Sequence, residues 1–253
     1  MSKEFSKVID KITGLRSEIF VATATFRLYE VVMEMLAPNI VGKFDASRNA
    51  KALGNLKGFF NIAKHAANTD FLVSLAKLYD NHRDSTSIPR LLDYIRGNID
   101  KLKLEDFINY NRNRKDIDSV IVDYIGINLS DVLELEKELL ELQPHIEKLK
   151  YLRDKRIAHL DLKELDELQN VSKPKNIDQS SKFKDLTYEE ITNLITKADY
   201  FLNTISSLVN KDVAEFGFLK DEVTQDSEQL IKIVRRNYDL MPTGLPTLPE
   251  VES

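Results

Sequence analysis

The chain has 253 residues, of which 42% are hydrophobic and 30% charged, and its formal net charge is −5. These values are typical of a globular protein with a buried core, and they exclude nucleic-acid binding through an overall basic surface, so any such contact must be a local basic patch. Because cysteine is absent, disulfides, a cysteine nucleophile and thiolate metal sites are excluded.

No run of about 18 apolar residues and no apolar N-terminal signal segment occur in the sequence. We therefore expect a cytoplasmic protein that does not contact a membrane. Glycine and proline are scarce, with 8 and 7 residues, and no pair of alternating segments with a hairpin turn is visible. The pattern predicts an all-α fold.

Apolar residues at spacings of three and four predict seven helices. Ser87 is a good N-cap, Thr187 to Glu190 form a capping box, and Pro144 predicts a kink. The predicted helices are 4–36, 49–81 (continuous through Asn68 to Asp70), 88–97, 104–125 (broken near 109–116), 130–159 (capped by Ser130), 187–209 and 219–237. Residues 38–48 and 161–186 are predicted connections.

The sequence predicts two domains. Residues 1–210 form a helical domain, and residues 211–253 form a C-terminal helix and a tail. Three prolines between Met241 and Pro249 favour an extended conformation in that tail.

The helix predicted from Ser130 has acidic residues in its first half and ends in a basic cluster followed by a histidine. That cluster is Lys148, Lys150, Arg153, Lys155 and Arg156, followed by His159. A guanidinium binds a phosphate through two parallel hydrogen bonds, and an imidazole titrates near neutral pH, so the pattern fits phosphodiester chemistry. An equally simple interpretation is that the charges complement the helix dipole.

The remaining histidines carry less information. We expect His65 in the core, His145 on a solvated helix face and His82 in a loop. No two histidines stand at a metal-ligand spacing, so neither a metal site nor a cofactor is predicted.

Arg153-Asp154 followed by His159, at the end of a long helix, resembles the motif of the HEPN superfamily. Together with the segments Phe71–Asp80 and Ser87–Leu92, the chain is similar to the AbiU-type HEPN proteins of abortive-infection and toxin systems over about residues 10–210. The resemblance implies a HEPN-like bundle of long antiparallel helices with extra C-terminal helices. It also implies a homodimer in which two motifs face each other in a cleft, and a metal-independent endoribonuclease.

The resemblance assigns roles to individual residues. His159 would act as general base or acid, Arg153 would hold the phosphate, and Asp154 would orient one of them. RNA-backbone contacts are expected from Lys150, Lys155 and Arg156.

Six positions on a regular helix rotate by about 600 degrees, so Arg153 and His159 should lie about 120 degrees apart around the axis. A shared site therefore needs either a distorted helix end or a second chain. The expected partners are RNA, a second copy of the chain and, in a toxin system, an antitoxin protein.

Two alternatives remain open. Some HEPN relatives are noncatalytic, so the chain would then be a helical module that binds RNA or a partner protein through the basic helix end. In the other alternative the chain only mediates assembly, and neither Arg153 nor His159 matters.

Overall fold

In a computed structural model of the chain, residues 3–54, 56–159, 186–214 and 217–240 are described, with the backbone alone at 57, 155–159, 217–220 and 237–240. All regular secondary structure in these ranges is helical, which confirms the all-α class. The helices are α1 (Lys3–Leu36), α2 (Pro38–Val41), α3 (Lys43–Gly54), α4 (Lys57–Leu78), α5 (Ile88–Asn98), α6 (Leu104–Tyr110), α7 (Ile117–Val122), α8 (Leu129–Glu141), α9 (Gln143–His159), α10 (Tyr188–Asn210) and α11 (Gly217–Leu240), with a 3-10 turn at Ile99–Lys101.

The chain divides into two compact units, and both α1 and α4 contribute to each. Unit 1 comprises residues 1–23 and 69–216, and unit 2 comprises residues 24–68 and 217–253. The predicted division into a helical domain of residues 1–210 and a C-terminal helix and tail of residues 211–253 stays a prediction.

Unit 1 has a core of fully buried apolar side chains from α1, α4, α5, α6, α8, α9 and α10. Its members include Phe5, Leu15, Leu75, Leu91, Phe107, Val132, Leu149 and Phe201. Each buried side chain of this size contributes about 1.5–3 kcal/mol. The one phenol in this core, Tyr79, donates its hydroxyl hydrogen to the carbonyl oxygen of Leu194 in α10 at 2.5 Å, which satisfies a polar group that burial would otherwise penalise.

Unit 2 is built from the second half of α1, from α2 and α3, from the first half of α4, and from α11. Polar contacts join these elements. Arg27 Nε donates to the Thr224 hydroxyl of α11 at 2.7 Å, and the Asn49 amide donates to the Met35 carbonyl at 2.8 Å. Several large apolar side chains of this unit are exposed, among them Phe44, Phe59 and Ile62.

Two predicted helix boundaries near the start of the chain are wrong. Residues 38–48, predicted as a connection, contain α2 and the beginning of α3, and the predicted helix 49–81 is interrupted after Gly54. The interruption follows Gly54, and glycine ends a helix readily. The sequence had suggested a possible break at Asn68 to Asp70 instead, but these residues lie within α4.

The start of the predicted helix 130–159 is also wrong. Its N-cap is Asn128: the side-chain oxygen accepts from the Asp131 N–H at 3.1 Å, while the Asp131 carboxylate accepts from the Asn128 N–H at 2.9 Å. Near Pro144, where a kink was expected, the structure instead has two separate helices, α8 and α9. Proline in the first turn of α9 costs no hydrogen bond, because that N–H has no acceptor within the helix.

Other local predictions are confirmed. The Ser87 side chain caps α5, and Thr187 with Glu190 forms the capping box of α10. The predicted break in 104–125 separates α6 from α7. None of the described helices combines the length and the apolar character that are needed to cross a bilayer.

Candidate functional site

The candidate site is centred on α9, which packs against α8 and α10. Ile146 and Leu149 are buried on one face of this helix. Arg153 follows Leu149 by four positions and therefore continues the same face. This register explains why the side chain of Arg153 is only 27% exposed: its aliphatic stem extends the buried stripe of the helix.

Arg153 and Asp154 form a close ion pair. The Arg153 Nε and Nη2 atoms lie 2.8 Å and 2.7 Å from the same carboxylate oxygen, Oδ1 of Asp154. Asp154 is 65% exposed, so solvent screens the pair and its contribution to stability is small. In this contact the carboxylate occupies the Nε and Nη2 side of the guanidinium.

A second cluster joins α9 to the first turn of α10. Lys148 Nζ lies 2.5 Å from Oε1 of Glu190, and His145 Nε2 lies 3.7 Å from the same oxygen. The other Glu190 oxygen accepts from the backbone N–H of Thr187 at 2.8 Å. The hydrogen bond from Lys148, followed by that from Thr187, holds the pKa of Glu190 below its ordinary value.

The structure brings together only some of the predicted site residues. Arg153 and Asp154 are in contact, and Lys150 is half-buried without a hydrogen bond or ion pair to any described residue. Lys155, Arg156 and His159 lie in the last turns of α9, and their side chains fall outside the described part of the structure. Because Arg153 and His159 belong to one helix, the expected separation of about 120 degrees around its axis applies.

Two predictions about histidines are corrected. His65, expected in the core, is exposed on α4, because the alanine-rich side of this helix is wider than the surface that its neighbours cover. His145, expected on a solvated face, is 32% exposed, and its Nδ1 atom is buried without a hydrogen-bond partner. His82 lies exposed in the connection between α4 and α5, as predicted.

Sequence reasoning missed Glu190 as a neighbour of the site. Its capping box with Thr187 was visible, but the contact to Lys148 spans 42 positions, and no local pattern reports it. The sequence offered one indirect signal: α9 is rich in lysine, and the first turn of α10 is acidic.

Unit 1 also contains a polar cavity of about 550 Å³. It lies between α1, the end of α4 and the turn that precedes α5, and it is lined by charged side chains such as Asp10, Glu18, Lys77 and Asp80. No residue of α9 lines it, so the candidate site and this cavity are separate features. No group of three or more acidic or histidine side chains suited to a metal ion occurs within the ranges that the structure describes.

Comparison with known proteins places the chain in a class. The sequence model of the HEPN family described as AbiU2 matches residues 5–230, which include every residue of the candidate site. No curated protein and no solved structure matched the chain. The fold and this match together define a HEPN domain of the abortive-infection type. The chain belongs to the AbiU2 family.

Proposed function

We propose that the chain is a metal-independent endoribonuclease that acts in abortive infection or as the toxin of a toxin–antitoxin system, with Arg153 and His159 as its catalytic residues. The observation that carries the proposal is the Arg153–His159 motif, which lies on one helix inside the part of the chain that matches the AbiU2 family.

The orientation of Arg153 supports a role in phosphate binding. Asp154 bonds Nε and Nη2, and Nη1 has no hydrogen-bond partner among the described side chains and backbone. A guanidinium held on one side and open on the other can donate a hydrogen bond to a phosphodiester oxygen. Lys150, half-buried one turn earlier, with Lys155 and Arg156, would add attraction for the RNA backbone.

The proposed reaction needs only groups of the protein and of the RNA. The ribose 2′-oxygen attacks phosphorus as its proton passes to a general base. The bond from phosphorus to the 5′-oxygen breaks, and a general acid protonates that oxygen, leaving a 2′,3′-cyclic phosphate. His159 fills one of these roles, and His159 of a second chain in a dimer cleft fills the other. Arg153 stabilises the negative charge that grows on the phosphoryl oxygens.

The test compares the wild type with His159→Ala and Arg153→Ala, on mixed RNA in excess EDTA. The wild type is expected to release fragments ending in 2′,3′-cyclic phosphate, and both variants are expected to lose this activity. His65→Ala, which removes an exposed histidine of unit 2, is the matched control and should cleave as the wild type does. RNA methylated at the 2′-oxygen should stay intact, because its nucleophile is blocked.

The alternative is a noncatalytic module that binds RNA or a protein through the end of α9. It predicts intact RNA in every lane and binding that His159→Ala leaves largely unchanged. Two contacts count against purely electrostatic RNA binding, since carboxylates already neutralise Lys148 and Arg153.

A further inference from the structure

Unit 2 contains a small apolar groove between the second half of α1, the first half of α4, and α11. Its walls include Tyr29, Val32, Phe59, Phe60, Ala63 and Leu230, and its volume is about 130 Å³. Sites for small molecules and cofactors usually measure about 300–1,000 Å³. The groove is therefore too small for a metabolite, whereas one or two apolar side chains of a peptide fit it.

Large apolar side chains remain exposed on the helices that form this groove, and one of them, Phe59, lines it. Phe59 is 61% exposed, Ile62 is 72% exposed, and Ile233 of α11 is 57% exposed. An exposed aromatic side chain in the wall of an apolar groove, here Phe59, is typical of a site that another segment covers. The covering segment must present apolar side chains at regular intervals.

The sequence that follows α11 has such a pattern. Pro242, Leu245, Leu248 and Val251 recur at every third position. A polyproline II helix has three residues per turn, so these four positions would share one face. Peptides of this kind bind grooves lined by aromatic side chains, because little conformational entropy is lost when they bind.

We propose that residues 241–253 bind the groove of unit 2 in the same chain, with Leu245 and Leu248 as the inserted side chains. The segment begins at the end of α11, and this helix itself supplies one wall of the groove, through Ser227, Leu230 and Ile231. The C-terminal segment therefore returns along the helix that it follows.

The length of the segment suffices for this path. Ile231 lies nine positions before Leu240, which is about 13.5 Å along an α-helix. From Leu240, an extended segment covers about 15 Å to Leu245 and about 25 Å to Leu248 at 3.1 Å per residue. Both leucines can therefore reach the groove.

Charge supports the same placement. Glu250 and Glu252 flank Val251, the last of the four apolar positions, and the exposed Lys64 lines the groove. An acidic end beyond Leu248 lies close to this lysine if the segment runs back along α11.

The test uses cysteine pairs in the full-length chain, which has no cysteine of its own. One pair is Lys64→Cys with Glu250→Cys. The control pair is Lys232→Cys with Glu250→Cys, because Lys232 is 67% exposed, lies on α11 and does not line the groove. All these positions are exposed or lie beyond α11, so the variants keep the core intact.

We expect the Lys64 pair to form an intrachain disulfide at least about tenfold faster than the control pair, since docking raises the effective concentration above that of an unbound segment. Adding Leu245→Asp and Leu248→Asp should abolish the difference. Equal rates for the two pairs would overturn the proposal. A disulfide formed only between chains would overturn it as well, and would assign the groove to the C-terminal segment of a second copy.

Discussion

Lys148 Nζ and Glu190 Oε1 lie 2.5 Å apart, and this contact joins the helix that carries the candidate motif to the first turn of α10. The same carboxylate completes the capping box with Thr187. One side chain therefore both caps α10 and ties it to α9. The ion pair depends on the negative charge of Glu190, whereas the capping contact needs only an oxygen that accepts from the Thr187 N–H.

Glu190→Ala is expected to destabilise the protein by about 1–2 kcal/mol, because it removes the capping contact and the ion pair together. Glu190→Gln should cost less, since the amide oxygen still accepts from Thr187. Urea denaturation measures both, with the exposed Glu189→Gln as control. In a cycle with Lys148→Met, we expect a coupling of about 0.5–1 kcal/mol, and a coupling of zero would contradict the ion pair.

The effect of Glu190 should depend on pH. Its pKa in the folded chain lies below the ordinary value of 4.5 because Lys148 and Thr187 donate to the carboxylate. A lowered folded-state pKa gives stability that is fully present above the unfolded-state pKa and is lost as the pH falls through the folded-state value. The stability difference between wild type and Glu190→Gln should be constant above about pH 5 and shrink below about pH 4. A difference that grows on acidification would refute this.

Tyr79→Phe tests the buried hydrogen bond to the Leu194 carbonyl. The hydroxyl is fully buried, and burial raises the pKa of Tyr79 well above its ordinary value. Its loss leaves a carbonyl without this donor, so we expect a destabilisation of about 1–2 kcal/mol. Tyr110→Phe, at a partly exposed position, should change the free energy of unfolding by less than about 0.5 kcal/mol. Similar losses in both variants would mean that the Tyr79 bond contributes nothing specific.

Lys211→Gly should stabilise the protein. Lys211 follows α10 with φ of 50 degrees, in the left-handed region that favours glycine at a helix C-terminus. The gain is expected to be about 0.5–1 kcal/mol. Lys211→Ala is the matched control, because it removes the side chain but keeps the Cβ, and it should bring no gain. Thermal denaturation distinguishes the two, and equal shifts would show that backbone strain is not the cause.

Mixing the wild type with His159→Ala tests whether the proposed site spans two chains. If the two histidines of a dimer act as base and acid in one cleft, an equal mixture should keep about a quarter of the wild-type rate, because only a quarter of the dimers carry both histidines. The rate is measured after denaturation and refolding of the mixture, with mixed dimers verified by mass. A rate of about half would mean that each chain acts with its own histidine alone.

The sequence predicted helix ends correctly where residues within one short segment determine them. Ser87 and Thr187 were identified as caps because the capping side chain and the backbone N–H that donates to it lie within three positions of each other. Asn128 was missed in favour of Ser130 because both are good caps, and the choice depends on which backbone N–H groups are left free. The interruption after Gly54 was missed because the apolar spacing of Leu53 and Leu56 continues across it.

The candidate site was predictable only as a sequence motif. Arg153, Asp154 and His159 are predicted from their spacing at the end of a long helix, together with the resemblance of the surrounding helical segments to the HEPN superfamily. The half-burial of Arg153 depends on the register that Ile146 and Leu149 set against neighbouring helices, and the role of Glu190 depends on a contact between distant positions. His65 was misplaced for a related reason, since an apolar helix face does not reveal how much of it a neighbour covers.

The shared use of α1 and α4 by both units has a consequence for how this protein can be divided or recombined. The chain passes from unit 1 to unit 2 within α1, at residues 23–24, and returns within α4, at residues 68–69. No single cut releases either unit intact, and exchanging a unit between relatives requires splices inside two helices. A fragment of the chain that ends in the connection before α5 therefore contains all of α1 and α4 but only part of each unit.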